Sequence, residues 1–189
     1  LGIVTNTPDT EDVQSEYLGE EPLGLILPRA LLGSDLVTSD NAKSADVGLQ
    51  KADDDLQKAG GSIKNVVTTL GLINHPDAMH YVQRYFNDCG EADLASINPN
   101  QLHHTGYINQ LSQILLPVSE GLGFTVLPTS TLNFVSFAEK LAVYQAKNDV
   151  TEPLYSVQTP HSTLPARYEI VKKKISQVLE SDSAPTIRN

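Results

Sequence analysis

The stretch INQLSQILLPVSEGLGFTVLP, residues 108–128, decides the fold class. Ile108, Leu111, Leu115 and Val118 recur every three to four residues, which lines one face of an amphipathic helix. Gly121 stands where such a helix needs a left-handed residue to stop. Gly123 lets the backbone pass close to a neighbour, and residues 124–127 continue as a buried strand that Pro128 breaks. Pro117 offers no N–H to the carbonyl of Gln113 and its ring crowds that carbonyl, so a kink in the last turn is expected. A helix that feeds a strand through so short a turn is half of an α/β unit, and the predicted fold class is α/β.

Upstream of this stretch, residues 1–5 read as a short buried strand, followed by a turn at Asn6-Thr7-Pro8-Asp9. PLGLILP at 22–28 is a second apolar strand fenced by prolines. Residues 32–61 turn polar, with a short surface helix expected over 53–58. The β-branched run 66–73 predicts a strand, and Asn74-His75-Pro76-Asp77 opens a helix that reaches Asn87 and buries Met79, Val82, Tyr85 and Phe86. A further strand is expected at 94–97, then a polar connection over 98–106. Beyond Pro128 come a short turn or helix at 134–139, strands at 141–146 and 153–159, and a closing helix over 165–179. That helix is predicted to bury Tyr168, Val171, Ile175, Val178 and Leu179.

Composition excludes several classes. The chain of 189 residues carries a net charge of −10, from 23 acidic against 13 basic residues. Such a surface repels phosphate backbones, so this chain is a poor nucleic-acid binder by itself. Lys172-Lys173-Lys174 lies beside Glu169 and Glu180 and reads as a solvated helix face. No apolar run approaches the ~20 residues a membrane helix needs, and no signal peptide opens the chain. The single cysteine, Cys89, has no internal disulfide partner and fits a reducing compartment, and Asp88 and Glu91 would raise its pKa. Met79 is the only methionine, and residue 1 already reads as strand, so the chain is expected to be the C-terminal part of a longer polypeptide.

Four stretches together resemble the effector-binding domain of LysR-type bacterial transcription regulators. Residues 1–5, LGIVT, look like the family's Asp-Leu-Ala-Ile-Val strand without its leading Asp. EEPLGLILP at 20–28 is similar to its Glu-Pro-Leu crossover, and GLGFTVLP at 121–128 to its Gly-Leu-Gly signature. EPLYSV at 152–157 and LPARY at 164–168 look like the last strand and helix. Pro117 departs from the family, whose members carry Val-Ala-Ala before the Gly-Leu-Gly.

The resemblance implies a type 2 periplasmic-binding-protein-like fold: two α/β subdomains joined by two crossover strands, with a small-molecule effector in the cleft. On that basis residues 1–28 and 151–189 form an incomplete subdomain I, and 29–150 form subdomain II. The winged helix-turn-helix would precede residue 1, so operator DNA would be reached only through that missing N-terminal domain. The resemblance further implies a homodimer or homotetramer in the bacterial cytoplasm, no cofactor, no metal and no membrane partner. A transporter's solute-binding protein shares the fold and is the alternative, with a small-molecule enzyme behind it.

Ligands of open α/β sheets sit beyond the carboxyl ends of the strands, near helix N-termini. Three segments meet that description and supply the candidate effector-binding residues: Thr5, Asn6 and Thr7; Asn74 and His75; and Thr105 and Tyr107. Each could equally be a turn or a helix cap. Catalytic signals are weak by comparison. His75 and His80 stand five residues apart, roughly 140° around a helix, unlike the i, i+4 spacing of a zinc-binding HExxH. His103-His104 is a lone pair in a loop, and no serine lies in Gly-x-Ser-x-Gly. No glycine-rich phosphate loop follows a strand.

Overall fold

Fifteen consecutive residues, Gln14–Pro28, form one strand, β2, far longer than the proline-fenced 22–28. It follows a short strand β1 (Gly2–Val4). The computed structural model describes residues 1–7, 12–31, 62–160 and 165–182. The helix expected over 53–58 lies outside the described residues. The chain divides into two compact units, Leu1–Pro22 with Thr151–Asn189, and Leu23–Val150. The first division falls inside β2.

In the larger unit every residue of 23–28 is buried, and alternate side chains enter two different cores. Leu25 and Leu27 join Phe124 and Val126 on one face; Ile26 joins Leu127, Ile73 and Leu141 on the other. A strand buried on both faces needs helices on both, which is why the run shows no polar alternation. β2 pairs antiparallel with β5 (Thr125–Pro128), Leu25 opposite Val126, and with β6 (Leu141–Val143), Ile26 opposite Val143. β3 (Leu72–Asn74) pairs in parallel with β4 (His104–Tyr107). β3 is tied to the β5 side by a parallel bridge from Leu72 to Phe124.

The first core is roofed by α1 (Ile63–Leu70), α2 (Ala78–Asp88) and α3 (Ala92–Ala95). The second is roofed by α4 (Leu111–Ser119). Here the structure corrects two strands. Residues 66–73 are mostly helix: Ser62 Oγ accepts from Lys64 N–H at 3.3 Å, and Ile63, Val66, Val67 and Leu70 form a buried stripe. The cap and the three-to-four spacing outweigh the β-branched bias. Residues 94–97 begin in the single turn α3, with Leu94 in the core and Asp93 accepting from Ser62 Oγ at 2.5 Å.

The 108–128 stretch folds as helix, glycine, strand, and Gly121 has φ of +77°. The helix starts later than its apolar spacing predicts, and its face is rotated. Ile114, Leu115 and Val118 are buried, whereas Leu111 is 60% exposed. α2 begins at Ala78 after Asp77, not at Asn74 or His75, and Val82, Tyr85 and Phe86 are buried, with Met79 partly so.

In the smaller unit β1 pairs antiparallel with β7 (Val150–Gln158), Gly2 opposite Val157 and Val4 opposite Tyr155. Half of Ile3 remains exposed, so β1 is less buried than its sequence suggests. The closing helix α5 (Ala166–Asp182) docks through Leu179, packed on the backbone of Gly19. Lys172 Nζ bonds Glu16 Oε2 at 2.6 Å and Glu169 Oε1 at 3.0 Å. That docking turns Val171 and Val178 outward, against the predicted buried stripe, because the ion-paired Lys172 lies on the docked side.

Candidate functional site

Three strands of the larger unit, β4, β3 and the segment entering β5, run in parallel, so their carboxyl ends form a common rim. Glycines make the close approach possible. Phe124 N–H donates to Gly71 O at 2.9 Å, and Ile73 N–H donates to Phe124 O at 2.8 Å. Gly71 has φ of +75°, a region that L side chains rarely adopt.

Asn74 ends β3 at this rim, and its Cα stands opposite that of Tyr107, which ends β4. Asn74 O accepts from Ile108 N–H at 2.9 Å, which closes the two strand ends together. The Asn74 side-chain oxygen is shut off from solvent and has no hydrogen-bond partner among the described residues. Tyr107 is 63% exposed. The rim therefore sets a largely enclosed amide residue and an exposed phenol at the same level of two adjacent strand ends, and the phenol can donate, accept and stack.

His75 follows Asn74 but points inward. It is 4% exposed, and its Nε2 lies 3.3 Å from Val126 O, which fixes Nε2 as the protonated nitrogen of the neutral ring. Burial lowers its pKa from the ordinary histidine value, against the opposing pull of the Val126 carbonyl and Asp77. Buried Thr125 adds a second tie, its hydroxyl donating to Ile73 O at 3.3 Å. Together these bonds pin the end of β3 to β5. The sequence reading did not single out Thr125, and its only signal was a hydroxyl inside an otherwise apolar strand.

Thr105 sits one step back from the rim, with its hydroxyl 3.4 Å from Leu72 O. Thr5, partly buried, and Asn6 and Thr7, both exposed, follow β1 in the smaller unit. His80, His103 and His104 are exposed, and among the described residues no cluster of three His, Cys, Asp or Glu side chains could hold a metal ion. Cys89 is fully buried, and burial is the first cause raising its thiol pKa. No helix of the described residues is long and apolar enough to cross a membrane.

No family model matches the sequence, and no curated protein matches it. Solved structures do. A cysteine-to-serine mutant of the OxyR2 regulatory domain from Vibrio vulnificus aligns with a TM-score of 0.60 at 11% identity, over 94% of this chain and 71% of that one. The regulatory domain of CrgA, a LysR-type transcriptional regulator from Neisseria meningitidis, gives 0.58 at 13%, over 94% and 74%. The CcmR regulatory domain of Synechocystis PCC6803, in complex with 2-PG, gives 0.55 at 16%, over 94% and 72%. At these identities the likeness is one of fold: the chain has the general type 2 periplasmic-binding-protein-like architecture found in LysR-type regulatory domains.

Proposed function

We propose that this chain is the small-molecule-sensing part of a LysR-type transcription regulator, and that the rim formed by Asn74 and Tyr107 belongs to its effector site. The observation that carries the site is the register that sets Asn74 opposite Tyr107 at the carboxyl edge of parallel strands, where open α/β sheets take ligands. The likeness of fold to LysR-type regulatory domains supports the regulatory role. Thr5, Asn6 and Thr7, which follow β1 in the smaller unit, are proposed as a separate candidate effector-binding segment of that unit. The role is binding rather than catalysis: an effector acts by favouring one arrangement of the protein over another, through its differential affinity for the two. DNA would be bound by a separate domain, and the regulator would work as a dimer or tetramer.

A thermal-shift screen of small metabolites on the full-length protein identifies a ligand by the melting shift it causes. With that metabolite, Asn74→Ala and Tyr107→Ala are each expected to raise the half-maximal effector concentration by ~5–10-fold, as for the loss of a hydrogen bond or a stacking contact. DNA affinity should stay unchanged. Dose responses identical to the parent in both variants would remove the rim from the effector site.

A further inference from the structure

Thr105 has no partner in the β3–β4 ladder. Leu72 stands opposite His104, but the next residue, Ile73, stands opposite Gly106, and Asn74 opposite Tyr107. The register slips between Leu72 and Ile73, so β4 carries one extra residue. Such bulges are rare in parallel pairs and serve to re-aim a side chain. Had the register run on without the slip, Ile73 would stand opposite Thr105 and Asn74 opposite Gly106, and the rim would lose its phenol.

The ladder is bonded on both sides of the slip. Leu72 N–H donates to His103 O at 2.7 Å before it, and Ile108 N–H donates to Asn74 O at 2.9 Å after it. Between these bonds the Thr105 side chain rests on two glycines. A Cβ at Gly71 would come to 2.8 Å from Thr105 Cγ2, and one at Gly123 to 2.7 Å from Thr105 Oγ1 and 2.9 Å from Gly71 O. The backbone conformation of Gly71 already calls for glycine. Gly123 is not among the glycines with positive φ, so what calls for glycine there is space, part of it taken by the Thr105 hydroxyl.

We infer that Thr105 is a positioning residue: seated between Gly71 and Gly123, it holds the bulge that sets Tyr107, rather than Gly106, beside Asn74. Its functional meaning rests on the reading of the rim as an effector site, whereas its structural content stands alone.

The test is amide exchange at Ile108, together with the nuclear Overhauser contact between the Tyr107 ring and Asn74, in the full chain. Thr105→Ala is expected to speed Ile108 exchange about fivefold, the scale of one lost hydrogen bond, and to weaken the Tyr107–Asn74 contact. Because Thr105 is itself exposed, the melting midpoint should move by no more than ~2 °C. Thr105→Ser, which keeps the hydroxyl, should restore most of the protection. Gly123→Ala, whose Cβ would crowd Thr105 Oγ1 and also Gly71 O and Ile73 Cγ1, should loosen the same segment at least as much. Unchanged Ile108 exchange in both Thr105→Ala and Gly123→Ala would overturn the inference, as would faster exchange spread evenly over the larger unit. Failure of the Asn74 and Tyr107 variants to alter the effector response would instead remove the effector reading and leave the bulge result intact.

Discussion

The two halves of β2 are one continuous strand in two different environments. Residues 14–21 carry Glu16, Glu20 and Glu21 and are mostly exposed, with Leu18 the buried exception. Residues 23–28 are buried throughout. β2 is hydrogen-bonded to β7 in the sheet. The first half has little apolar burial, Leu18 and the contact of Leu179 on Gly19, supplemented by polar ties: Thr151 Oγ1 donates to Glu20 Oε2 at 2.5 Å, and Lys172 reaches Glu16. The second half is held by apolar packing on two faces. A fully buried large apolar side chain contributes ~1.5–3 kcal/mol, whereas an exposed ion pair contributes ~0–1 kcal/mol. Strand geometry is thus common to both units, while the amount of apolar burial behind it is not.

The comparison breaks most readily at Phe124, fully buried where β3 meets β5. Phe124→Ala should cost ~3–5 kcal/mol in urea unfolding, while Leu179→Ala, resting on Gly19 in the smaller unit, should cost nearer ~2 kcal/mol. Equal losses would show that the smaller unit is as tightly packed as the larger.

An intermediate effect is expected from His75. Its folded pKa is lowered, so the unfolded chain takes up the proton first as pH falls. Stability should therefore be complete above the unfolded value of ~6.5, decline below it, and level off once the folded pKa is passed. His75→Gln should flatten that decline when the urea midpoint is followed between about pH 7.5 and pH 5. A slope as steep as the parent's would assign the acid sensitivity to other groups.

The smallest effect belongs to the polar half. Lys172→Ala should cost no more than ~1 kcal/mol, and the difference should shrink in high salt. A larger, salt-independent loss would mean that the lysine's hydrocarbon stem, rather than its charge, seats α5.

Much of the larger unit was legible because its signals are local. Gly121 ends α4 with the positive φ expected of it, Pro28 closes β2, and the residues following Asn74 lead into a helix. What misled was ambiguity between periods. In 66–73 the β-branched residues Val66, Val67, Thr68 and Thr69 suggest a strand, while the stripe from Ile63 to Leu70 needs the residues before them to be seen as helical. β4 escaped entirely, since His104-Thr105-Gly106-Tyr107 is polar, short and exposed, and becomes a strand only by pairing with β3. For the same reason the candidate site was legible in residue identity but not in arrangement. Asn74, Thr105 and Tyr107 were singled out as candidates, but neither the slipped register nor the inward turn of His75 follows from composition.

The lone thiol has a practical corollary. Cys89 is sealed in the first core of the larger unit, so an alkylating reagent can reach it only when that core opens. Labelling rates at this one sulfur would gauge the opening of the larger unit by itself, with no engineered reporter, while an ordinary melt records both units together.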